Sequence, residues 1–287
     1  MRKYGFILFF ALGFFSLLAQ VLVIREFILS FGGNELGIGL FYFFWFIWVA
    51  LGSLVGLGRL GEALKRHFLR LMPLYPVLGW AELLLFINLK SVAGINWWEL
   101  FLIDRVFIYL FLFTSFVSFF TGFIFTVGAA WLKEKEESAP RLIAHAFLWE
   151  SLGSVAAGGL VTFLSYRSFS PIISLMVSSL FFMLAVLWVS IKFRDRSAVV
   201  INLISASIFI ILFFHQGVAE NIFNRMRMNN FLPQAKFKAQ VYTPYRHILV
   251  GELTSQIAVT ADGELLVSMP DIVDADTQAV LFMAQAD

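Results

Sequence analysis

Leu142–Tyr166 reads LIAHAFLWESLGSVAAGGLVTFLSY, an almost unbroken apolar run with one acidic side chain. About 20 mostly apolar residues, rising 1.5 Å each, cross the hydrocarbon of a bilayer. The stretch is long enough to do so and carries a single carboxylate, Glu150, near its middle. On a helix, Ala146, Gly153, Ser154, Ala157 and Val161 share the face of Glu150. A stripe of small residues lets a neighbouring helix come close. A carboxylate at that depth is costly in lipid and belongs against protein or a polar cavity.

Composition extends this reading to the whole chain. Of 287 residues, 60% are hydrophobic and only 14% charged, with 35 Phe. The mean hydropathy is +0.84. Soluble domains are about 45–50% apolar and about a quarter charged, so the expectation is an integral membrane protein. The net charge of +2 says little about partners. Cysteine is absent, which excludes disulfides and thiolate metal sites. No nucleic-acid motif, internal repeat or metal-ligand spacing is present. Met1-Arg2-Lys3 opens an apolar run too long for a signal peptide and lacking a small-residue cleavage site, so it reads as a permanent first span.

Taken in order, the spans are expected near residues 4–24, 36–57, 71–89, 106–132, 142–166, 171–191 and 198–214. Arg25-Glu26 close the first, and Gly32-Gly33-Asn34 mark a turn. Gly52, Ser53 and Gly56 give the second a small-xxx-small contact face. Arg59 to Arg70 form a basic loop. The third span carries Pro73, Pro76 and Glu82. Trp97-Trp98 suit an interfacial anchor. The fourth is longer than a bilayer needs and is expected to tilt or protrude. Lys133 to Arg141 form a charged loop.

Beyond His215 the pattern changes. Residues 215–240 read as an amphipathic helix and connector. In residues 241–268, apolar and polar side chains alternate as strands require. Ile248-Leu249-Val250, Gln256 to Val259 and Leu265-Leu266-Val267 are strand candidates, with Asp262-Gly263 as a hairpin turn. Asp271 to Gln285 read as a helix. The fold class is therefore an all-α polytopic membrane bundle of about seven transmembrane helices, followed by a short C-terminal β-hairpin region and a helix. The boundaries are 1–214 for the bundle, 215–240 for the connector and 241–287 for the β-region.

Lys and Arg favour cytoplasmic connections. With the N-terminus inside, Arg2, Lys3, Arg59, Lys65, Arg66, Arg70, Lys133, Lys135, Arg141, Lys192, Arg194 and Arg196 lie inside. Arg25, Lys90, Arg105 and Arg167 lie outside. This favours a cytoplasmic N-terminus in a bacterial inner membrane and puts the tail outside. Arg225, Arg227, Lys236 and Lys238, at the start of the tail, argue the other way.

Two parts of the chain together resemble a known family. Gln20 and Arg25, Phe31-Gly32 and Ala50-Leu51-Gly52-Ser53 resemble the opening spans of multispanning spermidine synthase-like membrane proteins. Glu150-Ser151-Leu152-Gly153-Ser154 with Gly158-Gly159 resembles their later glycine-rich span. The tail TPYRHILVGELTSQIAVTADGELLVSMPD is similar to the N-terminal β-region of polyamine aminopropyltransferases. The resemblance implies aminopropyl transfer from decarboxylated S-adenosylmethionine, as co-substrate, to a polyamine. Tyr245, Arg246 and Asp271 fall on its substrate-binding positions. Arg246 replaces a family Gln, Leu266 another, and Ala275, Asp276 and Thr277 stand where the family has Tyr-His-Glu. The family's glycine-rich nucleotide loop and catalytic Asp would follow residue 287. The sequence is therefore expected to be either a piece of a longer protein or a membrane protein with only a vestige of the enzyme, and in both cases inactive alone, with no catalytic residue or cofactor of its own.

The intramembrane polar candidates are Gln20, Arg25, Glu26, Glu82, His145 and Glu150. Glu150 and Glu82 read either as proton or cation sites or as neutral, hydrogen-bonded carboxyls that join helices. His145 lies about 140° around the helix from Glu150, at 3.6 residues per turn, so the two do not make a metal pair. Arg25-Glu26 read as an interfacial anchor or ion pair, and Gln20 as an interhelical hydrogen bond. Rival functions are a transporter-like bundle moving a polyamine or related cation, and a membrane anchor with a degenerate tail. The expected partners are the lipid bilayer, a polyamine and a second copy of the chain.

Overall fold

The structure, a computed structural model, describes residues 2–31, 35–96, 99, 102–133, 139–232, 234–243, 246–253, 256–262, 264–270 and 283. Among the described residues, twelve helices precede four strands. They are α1 (Arg2–Phe31), α2 (Glu35–Leu57), α3 (Arg59–Lys65), α4 (Phe68–Leu71), α5 (Leu74–Ile87) and α6 (Leu89–Val92). Then follow α7 (Ile103–Phe113), α8 (Ser115–Leu132), α9 (Ala139–Tyr166), α10 (Pro171–Phe193), α11 (Arg196–Phe214) and α12 (Gln216–Phe231). The strands are β1 (Lys236–Tyr242), β2 (His247–Leu253), β3 (Gln256–Ala261) and β4 (Glu264–Met269). Among the described residues, 7 helices are long and apolar enough to cross a membrane, with α4 and α5 together supplying one of them.

Helix α1 is the central post. It packs along α9 and α10, while α2 packs along α8. Both close pairs rest on glycine. A Cβ on Gly13 would run into the backbone carbonyl of Glu150, and one on Gly153 into that of Phe10. Gly52 and Gly122 do the same for α2 and α8, meeting the carbonyls of Phe119 and Val49. Without an attraction between apolar surfaces in lipid, such backbone contact is what holds helices together. Ser154 adds a hydrogen bond from its hydroxyl to the carbonyl of Gly13, at 3.2 Å.

Four expectations need correction. Arg25-Glu26 do not end the first helix, which continues to Phe31, because Glu26 finds a buried partner there. The basic loop after the second span is helical, as α3 and α4. The long fourth span is two helices broken at Thr114. The hydroxyls of Thr114 and Ser115 bond back to the carbonyls of Leu110 and Leu112, at 2.7 and 2.6 Å, so side chains compete with the backbone ladder there. Residues 236–240 are not a connector but belong to β1. Gly32-Gly33-Asn34, Trp97-Trp98, Gly263 and most of 271–287 lie outside the described residues.

The strands form an antiparallel meander in the order β1-β2-β3-β4. Its inner face packs on α12 and the end of α1 through Leu29, Met228, Leu232, Ala235, Leu249 and Ala258. Gly251 lies under α12, where a Cβ would come 2.9 Å from the Ala235 methyl. The bundle has two distinct ends. At one, Tyr4 packs on Trp188, Trp131 on Phe193, and Arg70 pairs with Asp195. Leu29, Ile87 and Asn230 mark the other, where the sheet sits.

Candidate functional site

Two polar clusters stand out, one at the junction of bundle and sheet, the other within the bundle. At the junction, Glu26 of α1 pairs with Arg227 of α12, and both are almost wholly buried. Arg227 Nε donates to Glu26 Oε2 at 3.0 Å, and Nη2 donates to Oε1. This is the two-pronged guanidinium–carboxylate geometry that gives the strongest hydrogen bonds. Arg227 Nη1 donates to the hydroxyl of Tyr242 at 3.1 Å and to Asn224 Oδ1 at 3.4 Å. The Tyr242 hydroxyl in turn donates to Asn224 Oδ1 at 3.3 Å. One ion pair thus ties α1, α12 and β1 together.

His247 completes the cluster. Its ring stacks on Tyr242, with centroids 4.2 Å apart and planes 4° from parallel. Its backbone N–H donates to Asp262 Oδ1 at 2.9 Å, and its Nε2 lies 3.3 Å from Gln240 Oε1. Burial, and then Arg227 and Arg25 nearby, push the imidazole down to about 2. His247 is therefore a neutral ring across the physiological range, with Nε2–H free to donate to Gln240. Burial lifts the Tyr242 hydroxyl to about 12, although Arg227 opposes the rise. Burial works against the Arg227 charge, yet Glu26 more than offsets it and keeps the guanidinium charged.

Inside the bundle, Glu82 of α5 is fully buried and accepts a hydrogen bond from the backbone N–H of Val117 at 2.7 Å. The break at Thr114 creates that donor. Val117 lies in the first turn of α8, where N–H groups lack helical acceptors, so Glu82 caps α8 from another helix. Its second oxygen, Oε1, has no hydrogen-bond partner among the described residues. One turn along α8, Thr121 donates to the Val117 carbonyl at 2.7 Å and lies 2.6 Å from the Tyr75 hydroxyl and 3.4 Å from the Ser16 hydroxyl. Glu82, Val117, Thr121, Tyr75 and Ser16 form a polar seam across α1, α5 and α8.

The sequence candidates separate accordingly. Glu26 and Glu82 are the centres of the two clusters. Glu150 is half-buried, and its backbone lies against α1 as the small-residue stripe required. Arg25 is half-buried on α1 beside the junction; it does not face Glu150. Gln20 is half-buried and makes no side-chain hydrogen bond among the described residues, so the expected interhelical bond is not formed. His145 is exposed, edge-on to Phe6 with centroids 5.9 Å apart, and is separate from Glu150. Arg246 is exposed in a turn closed by Thr243. Tyr245 and Asp271 lie outside the described residues. Among those residues, no three of His, Asp or Glu gather as metal ligands. Arg227, Tyr242, Asn224 and His247 escaped sequence reading because nothing in their spacing joins them to Glu26, which lies 201 residues from Arg227. Compared with protein-family models, curated proteins and solved structures, the chain has no match.

Proposed function

We propose that this chain is an integral membrane protein whose bundle serves as a rigid mount for a β-region of aminopropyltransferase type, with decarboxylated S-adenosylmethionine and a polyamine as the reactants. The buried Glu26–Arg227 pair carries the reading, because it fastens the sheet to the first helix rather than leaving it on a loose tether. The family resemblance of the tail supplies the chemistry. Aminopropyl transfer needs an amine freed of its proton beside a carboxylate and held in line with the carbon next to the sulfonium. A fixed sheet is useful for such positioning. The test is spermidine formation from decarboxylated S-adenosylmethionine in washed membranes of cells carrying the native gene, against the same cells with the gene deleted. Loss of product on deletion supports the reading, and equal product from both overturns it.

A second reading, cation or polyamine movement through the bundle, is favoured by the unpartnered oxygen of buried Glu82. Glu82→Gln keeps an acceptor for the Val117 N–H but removes the charge. Lost polyamine flux with an unchanged unfolding midpoint supports transport. Unchanged flux leaves Glu82 as a helix cap only.

A further inference from the structure

At the end of the bundle away from the sheet, Arg194 and Asp195 join α10 to α11. Arg194 takes the left-handed backbone conformation, φ 57°, and closes α10 by donating its N–H to the carbonyls of Ile191 and Ser190. Asp195 caps α11 by accepting from Ala198 N at 3.1 Å and also accepts from Arg70 at 3.3 Å. Burial disfavours the Asp195 charge, but these two donors outweigh it and hold the carboxyl below its ordinary range. The one carboxylate of the turn is thus already engaged. Arg194 and Arg196, on either side, form no ion pair among the described residues.

These two arginines line a cavity of about 600 Å3 whose wall is Ile191, Val199 and Val200. Ile191 and Val200 are more than half exposed, at 53% and 56%. The level of the site is set by its neighbours. The rings of Tyr4 and Trp188 meet edge to face at 5.1 Å, and Lys192 Nζ lies 5.5 and 5.7 Å from their centroids. Aromatic rings with adjacent cations gather at the headgroup level of a bilayer. Two arginines beside an exposed apolar wall, at that level, match a phosphate ester with a hydrocarbon tail. Guanidinium forks suit phosphate oxygens, and basic recesses between spans suit anionic headgroups.

We infer that the α10–α11 cavity binds the phosphate headgroup of an anionic phospholipid, with Arg194 and Arg196 on the phosphate and Ile191, Val199 and Val200 against the start of an acyl chain. The inference rests on the membrane-spanning reading and not on the chemistry of the tail. Inorganic phosphate shares the recognised group but makes no use of the apolar wall.

The test uses the full chain in detergent, with bound lipid counted by native mass spectrometry during titration with phosphatidylglycerol, phosphatidylcholine or inorganic phosphate. Two cations near the headgroup are expected to give phosphatidylglycerol roughly thirtyfold tighter retention than phosphatidylcholine. Arg194→Gln with Arg196→Gln is expected to abolish that preference. Equal retention of the two lipids, an unchanged preference in the double variant, or thermal stabilisation by inorganic phosphate equal to that by the lipid would each overturn the inference. If the double variant does not fold, salt decides on the wild type. Retention that falls steeply between low and high salt supports the site, and salt-insensitive retention refutes it. A chain recovered without detergent would instead refute the membrane-spanning reading.

Discussion

Gly13 and Gly153 sit where two backbones touch, so a single methyl decides whether α1 and α9 can meet. Gly13→Ala or Gly153→Ala is expected to destabilise the bundle by about 1–3 kcal/mol, the usual cost of overpacking. Gly159→Ala, with nothing within 4 Å of its Cβ, should stay within about 0.5 kcal/mol of the wild type. Unfolding titrations in detergent would separate the three. This contact was legible in the sequence, because the small residues recur on the face of Glu150. His247 was not, because a histidine in an alternating stretch gives no sign of whether it faces the core. Its folded-state pKa lies below the unfolded value of about 6.5. Unfolding therefore takes up a proton below that pH, so the stability His247 contributes is complete above about 6.5 and lost as pH falls toward 2. The slope approaches about 1.4 kcal/mol per pH unit. A tail that unfolds equally readily at pH 7 and pH 5, read by tyrosine absorbance or exchange, would argue against a buried neutral ring.

Among the elements, those set by long apolar runs were easy to find, and those set by partners were not. All seven membrane-length apolar helices follow from hydropathy. The break at Thr114 does not, since Ser115 to Leu132 is as apolar as its surroundings and the break is completed by Glu82 on another helix. Strand β1 was hidden because Lys236 and Lys238 made its sequence look like a polar connector. Lys238 in fact reaches across to Glu252 of β2, 2.6 Å away, at the exposed edge of the sheet. Helix α12 is the element on which the junction depends. Arg227→Met alone leaves Glu26 buried without a partner and should cost about 3–5 kcal/mol, while Glu26→Met with Arg227→Met should recover most of that loss. The comparison needs only the unfolding midpoints of the single and double variants. Equal loss in both would show that the pair is not what holds α12 to α1.

At the scale of the molecule, the charges sort by end. Arg59, Lys65, Arg66, Arg70, Lys192, Arg194 and Arg196 belong to the end opposite the sheet. Of the basic residues in the tail that weighed against this orientation, Arg227 is buried against Glu26 and Lys238 is paired with Glu252. The positive-inside rule counts Lys and Arg whether or not they are paired, and their majority at the end opposite the sheet predicts an N-terminus in the cytoplasm. The native chain has no cysteine, so single cysteines report without background. Arg66→Cys should react with an impermeant maleimide only after the membrane is opened, and Glu264→Cys in intact cells. The reverse pattern would invert the topology. Whether the sheet carries substrates was the least legible feature, since Tyr245, Arg246 and Asp271 matter only in relation to groups that their own sequence neighbourhood does not contain.

A buried ion pair fastens the sheet to an apolar helical bundle. Amide hydrogen exchange of the protein in lipid nanodiscs, wild type against Glu26→Gln, reads out that fastening strand by strand. Residues 247–261 should be protected in the wild type and exchange many times faster in the variant, while the long helices stay protected in both. Strands that exchange at the same rate in the two proteins would contradict the claim.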